Sequence, residues 1–168
     1  MLRLASPPWV QVPNSKKPEL SLRVRAMRYL ARREHSRAEL HGKLLPHVQE
    51  GEDLAAVLDE LEKRNWLSDV RAATQWVDAK RGRFGTQRIA HELRQKGIAE
   101  HLIAEALPQL KETELDAARE VWQKKFGVLP QDAKEKARQI RFLQSRGFSI
   151  EVTLKVLKLS SAMEEGED

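Results

Sequence analysis

The 168-residue sequence contains no cysteine. Disulfides, zinc–thiolate sites and thiol nucleophiles are therefore excluded, and a reducing compartment is allowed. No apolar run approaches the roughly 18 residues that a membrane-spanning helix needs. The start, "MLRLASPPWVQVP", is too short and too rich in proline for the apolar stretch of a signal peptide. These absences predict a cytoplasmic protein that does not associate with membranes.

Aromatic residues are also scarce, with four tryptophans, one tyrosine and four phenylalanines. This number is small for a surface that stacks many nucleic-acid bases. Trp76 and Phe126 are candidates for stacking, but they occupy the same repeated apolar position as Met27. Packing in the core is therefore favoured over base stacking for both rings.

Patterns of catalytic or metal-binding residues are missing as well. None of the five histidines forms the i, i+4 pair that places two imidazoles on one helix face. Ser36 lies near His35 and His41, but it is better explained as a helix cap, and no third group completes a nucleophilic site. There is no phosphate-binding GK[ST] motif. We expect no catalytic residues, no metal and no cofactor.

Proline is concentrated in residues 1–18, which show no helical period and predict a flexible N-terminal arm. After this segment, helix signals recur. Ser36-x-x-Glu39 and Asp132-x-x-Glu135 have the pattern of capping boxes at helix starts. No stretch alternates polar and apolar residues for long enough to predict strands.

Two glycines mark expected helix ends. Gly97 and Gly147 are each followed by a large apolar residue, which is the pattern of a helix stop in which glycine adopts a left-handed conformation. Together with the start signals, these stops predict an all-α protein.

An internal repeat of about 50 residues is visible when the sequence is shifted against itself by 49 and then 50 positions. The shift aligns Leu44 with Leu93 and Leu143. Repeats of this length predict stacked units that bury a continuous core. The expected architecture is an elongated array, stacked right to left, of three three-helix repeats. Their bounds are 19–68, 69–112 and 113–160, followed by an acidic tail at 161–168. The expected helices are 20–33, 36–48 and 53–64, then 69–81, 86–96 and 99–110, then 114–126, 132–146 and 149–160.

Charge alternates with the repeat. Residues 19–49 contain seven basic and three acidic residues, whereas 50–69 contain two basic and seven acidic ones. The same alternation continues through the second and third repeats, and the whole chain has a net charge of +5. Complementing helix dipoles explains some of these charges but not the sign of whole helices. Stacking should therefore produce a basic stripe, which suits a polyanionic partner, unless these are simply solvated faces.

The basic stripe supplies the candidate contact residues. Many of them lie at the turns between the first and second helices of the repeats, where cations can follow a phosphate backbone without reading sequence. The candidates for DNA or partner contact are Arg32, Arg33, Lys80, Arg81, Arg83, Arg88, Arg94, Lys124, Lys125, Arg138 and Arg141.

The segment Gly82-Arg83-Phe84-Gly85 raises the question of a backbone clamp on nucleotides. Such a clamp works in KH domains, where a sheet and a helix support it, and no strand is predicted here. Gly85 aligns with the capping Ser36, and Thr86 can cap the next helix. We therefore interpret the glycines as turn residues, with a cost near 1 kcal/mol for alanine wherever a positive φ is needed. The neighbouring bases would make the contacts.

Three segments resemble the RecX family, regulators of the RecA recombinase. They are "YLARREHSRAEL" at 29–40, "RFGTQRIAHELRQKGI" at 83–98 and "RQIRFLQSRGFSIEVTLKVLK" at 138–158. They follow the family order within residues 20–160. Ala72 stands where the family pattern leads us to expect an aromatic residue. This departure affects the expectation of one local packing contact and leaves the resemblance to the family unchanged.

This resemblance implies an all-helical, elongated protein that binds RecA filaments on DNA. It also implies inhibition of filament growth, strand exchange, ATP hydrolysis and stimulated repressor cleavage. Single- and double-stranded DNA are further expected partners, and the protein is expected to be a monomer. Two alternatives remain: a DNA-binding helical module, since three-helix units can carry a helix-turn-helix reader, and a solenoid adaptor that does not bind DNA.

Overall fold

The regular structure is helical throughout the part of the chain that the computed structural model describes, residues 20–164 with side chains to residue 161. The all-α prediction is therefore confirmed. The helices are α1 (Leu22–Leu30), α2 (Arg37–Leu44), α3 (Leu54–Lys63), α4 (Asp69–Lys80), α5 (Thr86–Gln95), α6 (Glu100–Lys125), α7 (Ala133–Ser145) and α8 (Ile150–Glu164), with a 3-10 helix at Leu45–His47. None of these helices is long and apolar enough to cross a membrane. The predicted arm at 1–18, and positions 165–168 of the predicted tail, lie outside the described residues.

Side-chain caps fix the starts of α1, α2, α3, α4 and α7. Ser36 forms the complete capping box of α2, because its Oγ accepts from Glu39 N at 3.0 Å and its own N donates to the Glu39 carboxylate. Asp132 caps α7 by accepting from Glu135 N at 2.7 Å. The Glu135 carboxylate instead accepts from Gln131 N, one residue before the position that a capping box requires.

Left-handed glycines end the second helices of the last two repeats. Gly97 has φ of +72° and Gly147 has φ of +85°. The apolar residues that follow, Ile98 and Phe148, are buried. Both predicted helix stops are confirmed, and their geometry is that of helix ends capped by a left-handed residue.

The break expected between helices at 99–110 and 114–126 is wrong, because α6 runs without interruption from Glu100 to Lys125. The intervening Lys-Glu-Thr segment contains no glycine or proline to stop a helix. Pro108 lies inside α6 and removes one backbone donor without ending the helix. The predicted boundary at 112/113 consequently falls inside a helix that the second and third repeats share. At the other end, α8 extends to Glu164, beyond the predicted end at 160.

Each repeat has its own apolar core. The first core lies among α1, α2 and α3, the second among α4, α5 and the first half of α6, and the third among the second half of α6, α7 and α8. The aligned leucines Leu44, Leu93 and Leu143 are all buried, each at the centre of one core. Three cores in series agree with the predicted repeat, but the continuous core expected from stacking is wrong for the described residues, whose buried apolar side chains form three separate clusters.

The first inter-repeat junction joins the start of α2 to the second repeat. Ser36 Oγ donates a hydrogen bond to the carbonyl oxygen of Lys96. Arg37 N donates to Asp69 Oδ1 at 2.7 Å, so a carboxylate from α4 satisfies a free amide at the start of α2. Gly97 lies so close to Ala38 that a side chain at position 97 would overlap the Ala38 Cβ.

The second junction repeats this arrangement between the start of α5 and the third repeat. Gly85 N donates to the carbonyl oxygen of Arg146 at 2.9 Å. Thr86 N donates to Glu114 Oε1 at 2.9 Å, so a side chain of α6 satisfies the first free amide of α5. The expected Thr86 cap is wrong, because Gly85 is the N-cap residue and no side chain caps α5 from that position. A Cβ at Gly85 would lie 2.2 Å from the carbonyl oxygen of Gly147. The two repeats therefore meet backbone to backbone at this point.

Candidate anion-binding surface on the second and third repeats

Phe84, in the turn between α4 and α5, is surrounded by cations. The charged groups of Lys80, Arg83, Arg88 and Arg146 lie 5.2, 5.9, 4.1 and 5.6 Å from the centre of its ring. The first three belong to the second repeat and Arg146 belongs to the third. Contact with an aromatic face contributes about 0.5–1 kcal/mol per cation at an exposed site. The ring therefore gathers four positive charges across the second junction.

The pattern continues on both sides of Phe84. Trp76 has Lys80 at 4.7 Å and Lys96 at 3.9 Å from its ring centre. Phe142 has Arg146 at 5.2 Å and Lys125 at 5.9 Å. Cations and rings thus alternate along the surface. We call this set the cation–aromatic ladder, and its members in order are Lys96, Trp76, Lys80, Phe84, Arg146, Phe142 and Lys125.

The ladder is anchored on the apolar cores. Trp76 packs against the core of the second repeat, and its Nε1 donates to Glu92 at 3.1 Å. Phe126 packs against the core of the third repeat and meets Phe142 edge-on, with 5.3 Å between ring centres. Arg138 lies 5.6 Å from the Phe126 ring centre. Core packing of Trp76 and Phe126 is confirmed, and their outer surfaces additionally support cations.

A basic cleft of about 370 Å³ lies beside the ladder at the second junction. Arg83 enters it from the α4–α5 turn, Lys124 and Lys125 from the end of α6, and Arg146 from the end of α7. The complete lining is Gly82, Arg83, Val121, Lys124, Lys125, Phe142 and Arg146. No carboxylate belongs to this set of described residues. Cations of the second and third repeats can therefore attract the same anion to the cleft.

Several candidate cations already have acidic partners. Arg94 pairs with Glu100 at 2.6 Å, Arg81 with Asp78 at 3.6 Å and Lys124 with Glu120 at 3.5 Å. These pairs are exposed and contribute little to stability, so a stronger anion can compete for the cations. Arg32, in the turn after α1, and Arg141, on α7, are exposed.

Arg33 differs from these residues because it holds the first junction together. It pairs with Glu39 at 3.0 Å, and Lys96 reaches the same carboxylate from the second repeat at 2.7 Å. Burial alone would raise the pKa of Glu39, but hydrogen bonds from Arg33 and Lys96 outweigh it and lower the pKa from 4.5 to about 2. Arg33 therefore takes part in the first junction, although its side chain is 39% exposed.

The histidines do not form a metal centre in the part of the chain that the structure describes, where no group of three His, Asp or Glu side chains is suitably placed. His35 is buried at the start of α2, where its Nδ1 lies 3.0 Å from the carbonyl oxygen of Arg33 and its ring lies beside Tyr29. Burial lowers the pKa of His35 below 6.5, which favours the neutral imidazole.

Sequence reasoning missed four members of the ladder: Lys96, Phe84, Arg146 and Phe142. Lys96 and Arg146 each precede a helix-ending glycine, a position where a base is ordinarily explained by the helix dipole. The available signal was their identical place in two aligned repeats. The two phenylalanines lie at positions without an apolar equivalent in the first repeat.

Family models match all three repeats in order. They are described as the first, second and third three-helix domains of RecX and match residues 23–61, 68–107 and 112–157. The chain belongs to the RecX family. The RecX matches together cover more than half of the sequence, and each falls on one of the three cores described above.

Similar RecX proteins are found in several bacteria. The regulatory protein RecX of Leptothrix cholodnii is 49% identical over 87% of this chain and 93% of its own length. That of Chromobacterium violaceum is 48% identical over 82% of this chain and 89% of its own. A crystal structure of a regulatory protein RecX covers 80% of this chain and 70% of its own, with a TM-score of 0.70 at 23% identity. RecX from Lactobacillus salivarius has a TM-score of 0.69 at 17% identity, over 82% and 95% of the two chains. These structures share the fold.

Proposed function

We propose that this chain is a non-catalytic inhibitor of RecA that binds the RecA–DNA filament and limits filament growth, strand exchange and ATP hydrolysis. The observation that carries the proposal is the match of all three repeats, in order, to the domains of the RecX family. Its relatives are named regulatory proteins, which agrees with a role that does not require catalysis.

The cation–aromatic ladder and the basic cleft supply a surface for the DNA in such a filament. Their cations suit the backbone phosphates of DNA as ligands. Phosphates carry no sequence information, so we expect the protein to bind DNA of any sequence. Both single- and double-stranded DNA are suitable ligands on this basis. Of the predicted contacts, Lys80, Arg83, Lys124 and Lys125 are members of the ladder or the cleft, and Arg88 adjoins the ladder at Phe84. We further propose that the protein acts as a monomer in the cytoplasm.

Hydrolysis of ATP by RecA on single-stranded DNA provides the test. Adding this protein at increasing amounts below the RecA concentration should lower the steady-state rate, because filaments that cannot extend contain fewer active subunits. A matched amount of heat-denatured protein should leave the rate unchanged. An unaltered rate at a several-fold excess over RecA would contradict the proposal.

Two other outcomes identify the alternatives. Protection of one duplex sequence, together with no effect on RecA, would indicate a helix-turn-helix reader. Binding to a protein partner that is indifferent to DNA and to salt would indicate a solenoid adaptor. The four cations gathered around Phe84 favour DNA binding over the adaptor.

A further inference from the structure

The two inter-repeat junctions share one backbone arrangement but differ in charge. Ser36 and Gly85 occupy the same N-cap position, so Glu39 on α2 and Arg88 on α5 are both the third residue of their helices. Counting back from the caps, Glu34 in the first junction corresponds to Arg83 in the second. Two acidic positions of the first junction are therefore basic in the second.

At the first of these two positions, the facing residue does not compensate for the reversal. Lys96 and Arg146 correspond to each other, since each directly precedes a left-handed glycine at the end of a second helix. Lys96 faces Glu39 at 2.7 Å, as an ion pair. Arg146 instead shares the Phe84 ring with Arg88, the residue that takes the place of Glu39. The ion pair of the first junction is therefore replaced by two like charges around one ring.

The charge at the second position is compensated in part. Glu34 pairs with Arg71 of the second repeat at 2.8 Å. Its counterpart Arg83 lines the cleft with Lys124 and Lys125 of the shared helix α6. The counterpart of Arg71 on that helix is Asp116, because Arg71 lies two residues after Asp69 as Asp116 lies two residues after Glu114. Like charges placed together lower the stability of the folded state unless an anion neutralises them. Glu92 pairs with Arg88, and together with Asp116 it offsets part of this charge.

We propose that the second junction is a binding site for the backbone phosphates of nucleic acid, and that a bound phosphate links the second and third repeats. The proposal specifies where the regulator holds DNA and so rests on the proposed function. Guanidinium groups can contact phosphate oxygens in pairs, which suits Arg83 and Arg146 on opposite sides of the cleft. Cations occupy faces of Phe84 and Phe142, so these faces do not stack bases.

The test transfers the charge pattern of the first junction to the second. The full-length variant Arg83→Glu/Arg88→Glu places glutamates where Glu34 and Glu39 lie in the first repeat. Its melting temperature should stay close to that of the parent protein, because loss of the Arg88–Glu92 pair and of two cations on Phe84 opposes the relief of like-charge repulsion. Its affinity for an oligothymidylate should fall by at least about tenfold. The slope of log K against log salt should decrease by about 1.4, because each contact with a single strand contributes about 0.7.

The control variant is Lys111→Glu/Lys158→Glu, which changes the net charge equally at two exposed lysines outside the cleft. It should retain most of the affinity. Equal losses in the two variants would show that only net charge matters and would overturn the proposal. If the glutamate variant fails to fold, Arg83→Gln/Arg88→Gln provides the same comparison. Unchanged oligothymidylate affinity in a folded variant would also overturn the proposal.

The link between repeats is tested by melting. Oligothymidylate should raise the melting temperature of the parent protein but not that of the Arg83→Glu/Arg88→Glu variant. Polyglutamate is the comparison ligand, and an equal rise with polyglutamate would assign the junction to an acidic protein surface instead. Inhibition of RecA is measured separately. A parent protein that binds oligothymidylate at this junction but leaves RecA unaffected would contradict the proposed function and leave the phosphate site standing.

Discussion

Replacing Gly85 by alanine should separate the second and third repeats. The φ of Gly85 is −75°, so this glycine is not required for a left-handed turn. The positive φ that the sequence suggests as a reason for glycine does not apply here. It is required because a Cβ would lie 2.2 Å from the carbonyl oxygen of Gly147 and 2.3 Å from Phe148 N. These are backbone atoms, so one repeat has to move. Overpacking typically costs about 1–3 kcal/mol, and loss of the Gly85–Arg146 hydrogen bond adds about 1 kcal/mol.

Urea unfolding followed by circular dichroism measures this cost. At a slope of about 2 kcal/mol per molar urea, a loss of about 2–4 kcal/mol lowers the midpoint by roughly 1–2 M. Gly82→Ala is the matched control, since a Cβ there meets nothing within 4 Å and Gly82 is not among the glycines with positive φ. It should change stability by less than about 0.5 kcal/mol. Equal midpoints for the two variants would refute the close-packing argument.

Three further predictions concern other parts of the fold. The ionised Glu39 carboxylate stabilises the protein above pH 4.5 and loses this effect as the pH falls toward 2. Glu39→Gln should therefore cost on the order of 2 kcal/mol at pH 7 and flatten the acid dependence of unfolding in that window; an unchanged acid limb would contradict this. Arg33→Gln should lower the stability of the protein by up to about 1 kcal/mol, because it removes the partly exposed pair with Glu39. Arg32→Gln, at an exposed position, should leave the stability unchanged, and thermal melts compare the two variants. Pro108→Ala should stabilise α6 by about 1–3 kcal/mol in urea unfolding, and a lower stability would show that proline shapes a required bend.

The fold was largely predictable because its signals are local and repeated. Ser36 marks the start of a helix because its side chain caps it, and Gly97 and Gly147 mark helix stops because they adopt a left-handed conformation. The continuous α6 was not predictable from the repeat, since periodicity requires three helices in each copy but does not require a break between copies. The close approach at Gly85 depends on how repeats dock and has no local signal.

The site was predictable only in part. Lys80, Arg83 and Arg88 were identified from charge, and the structure brings them together around Phe84. Arg33 was also identified from charge, but the structure engages it with Glu39. Charge alone does not show whether a cation is paired with a carboxylate or available to a ligand, because this depends on contacts made in the fold. The partner of Arg33 lies six residues away in the sequence, and Arg146 reaches Phe84 from another repeat.

Extension of RecA filaments on single-stranded DNA, followed in real time with labelled RecA, tests the central proposal most directly. Filaments are started with RecA alone, and this protein is then added at an amount well below RecA. The account predicts that extension slows or stops, and that the Arg83→Glu/Arg88→Glu variant has a weaker effect than Lys111→Glu/Lys158→Glu at the same concentration. Extension that continues at its original rate with the unaltered protein would contradict the account.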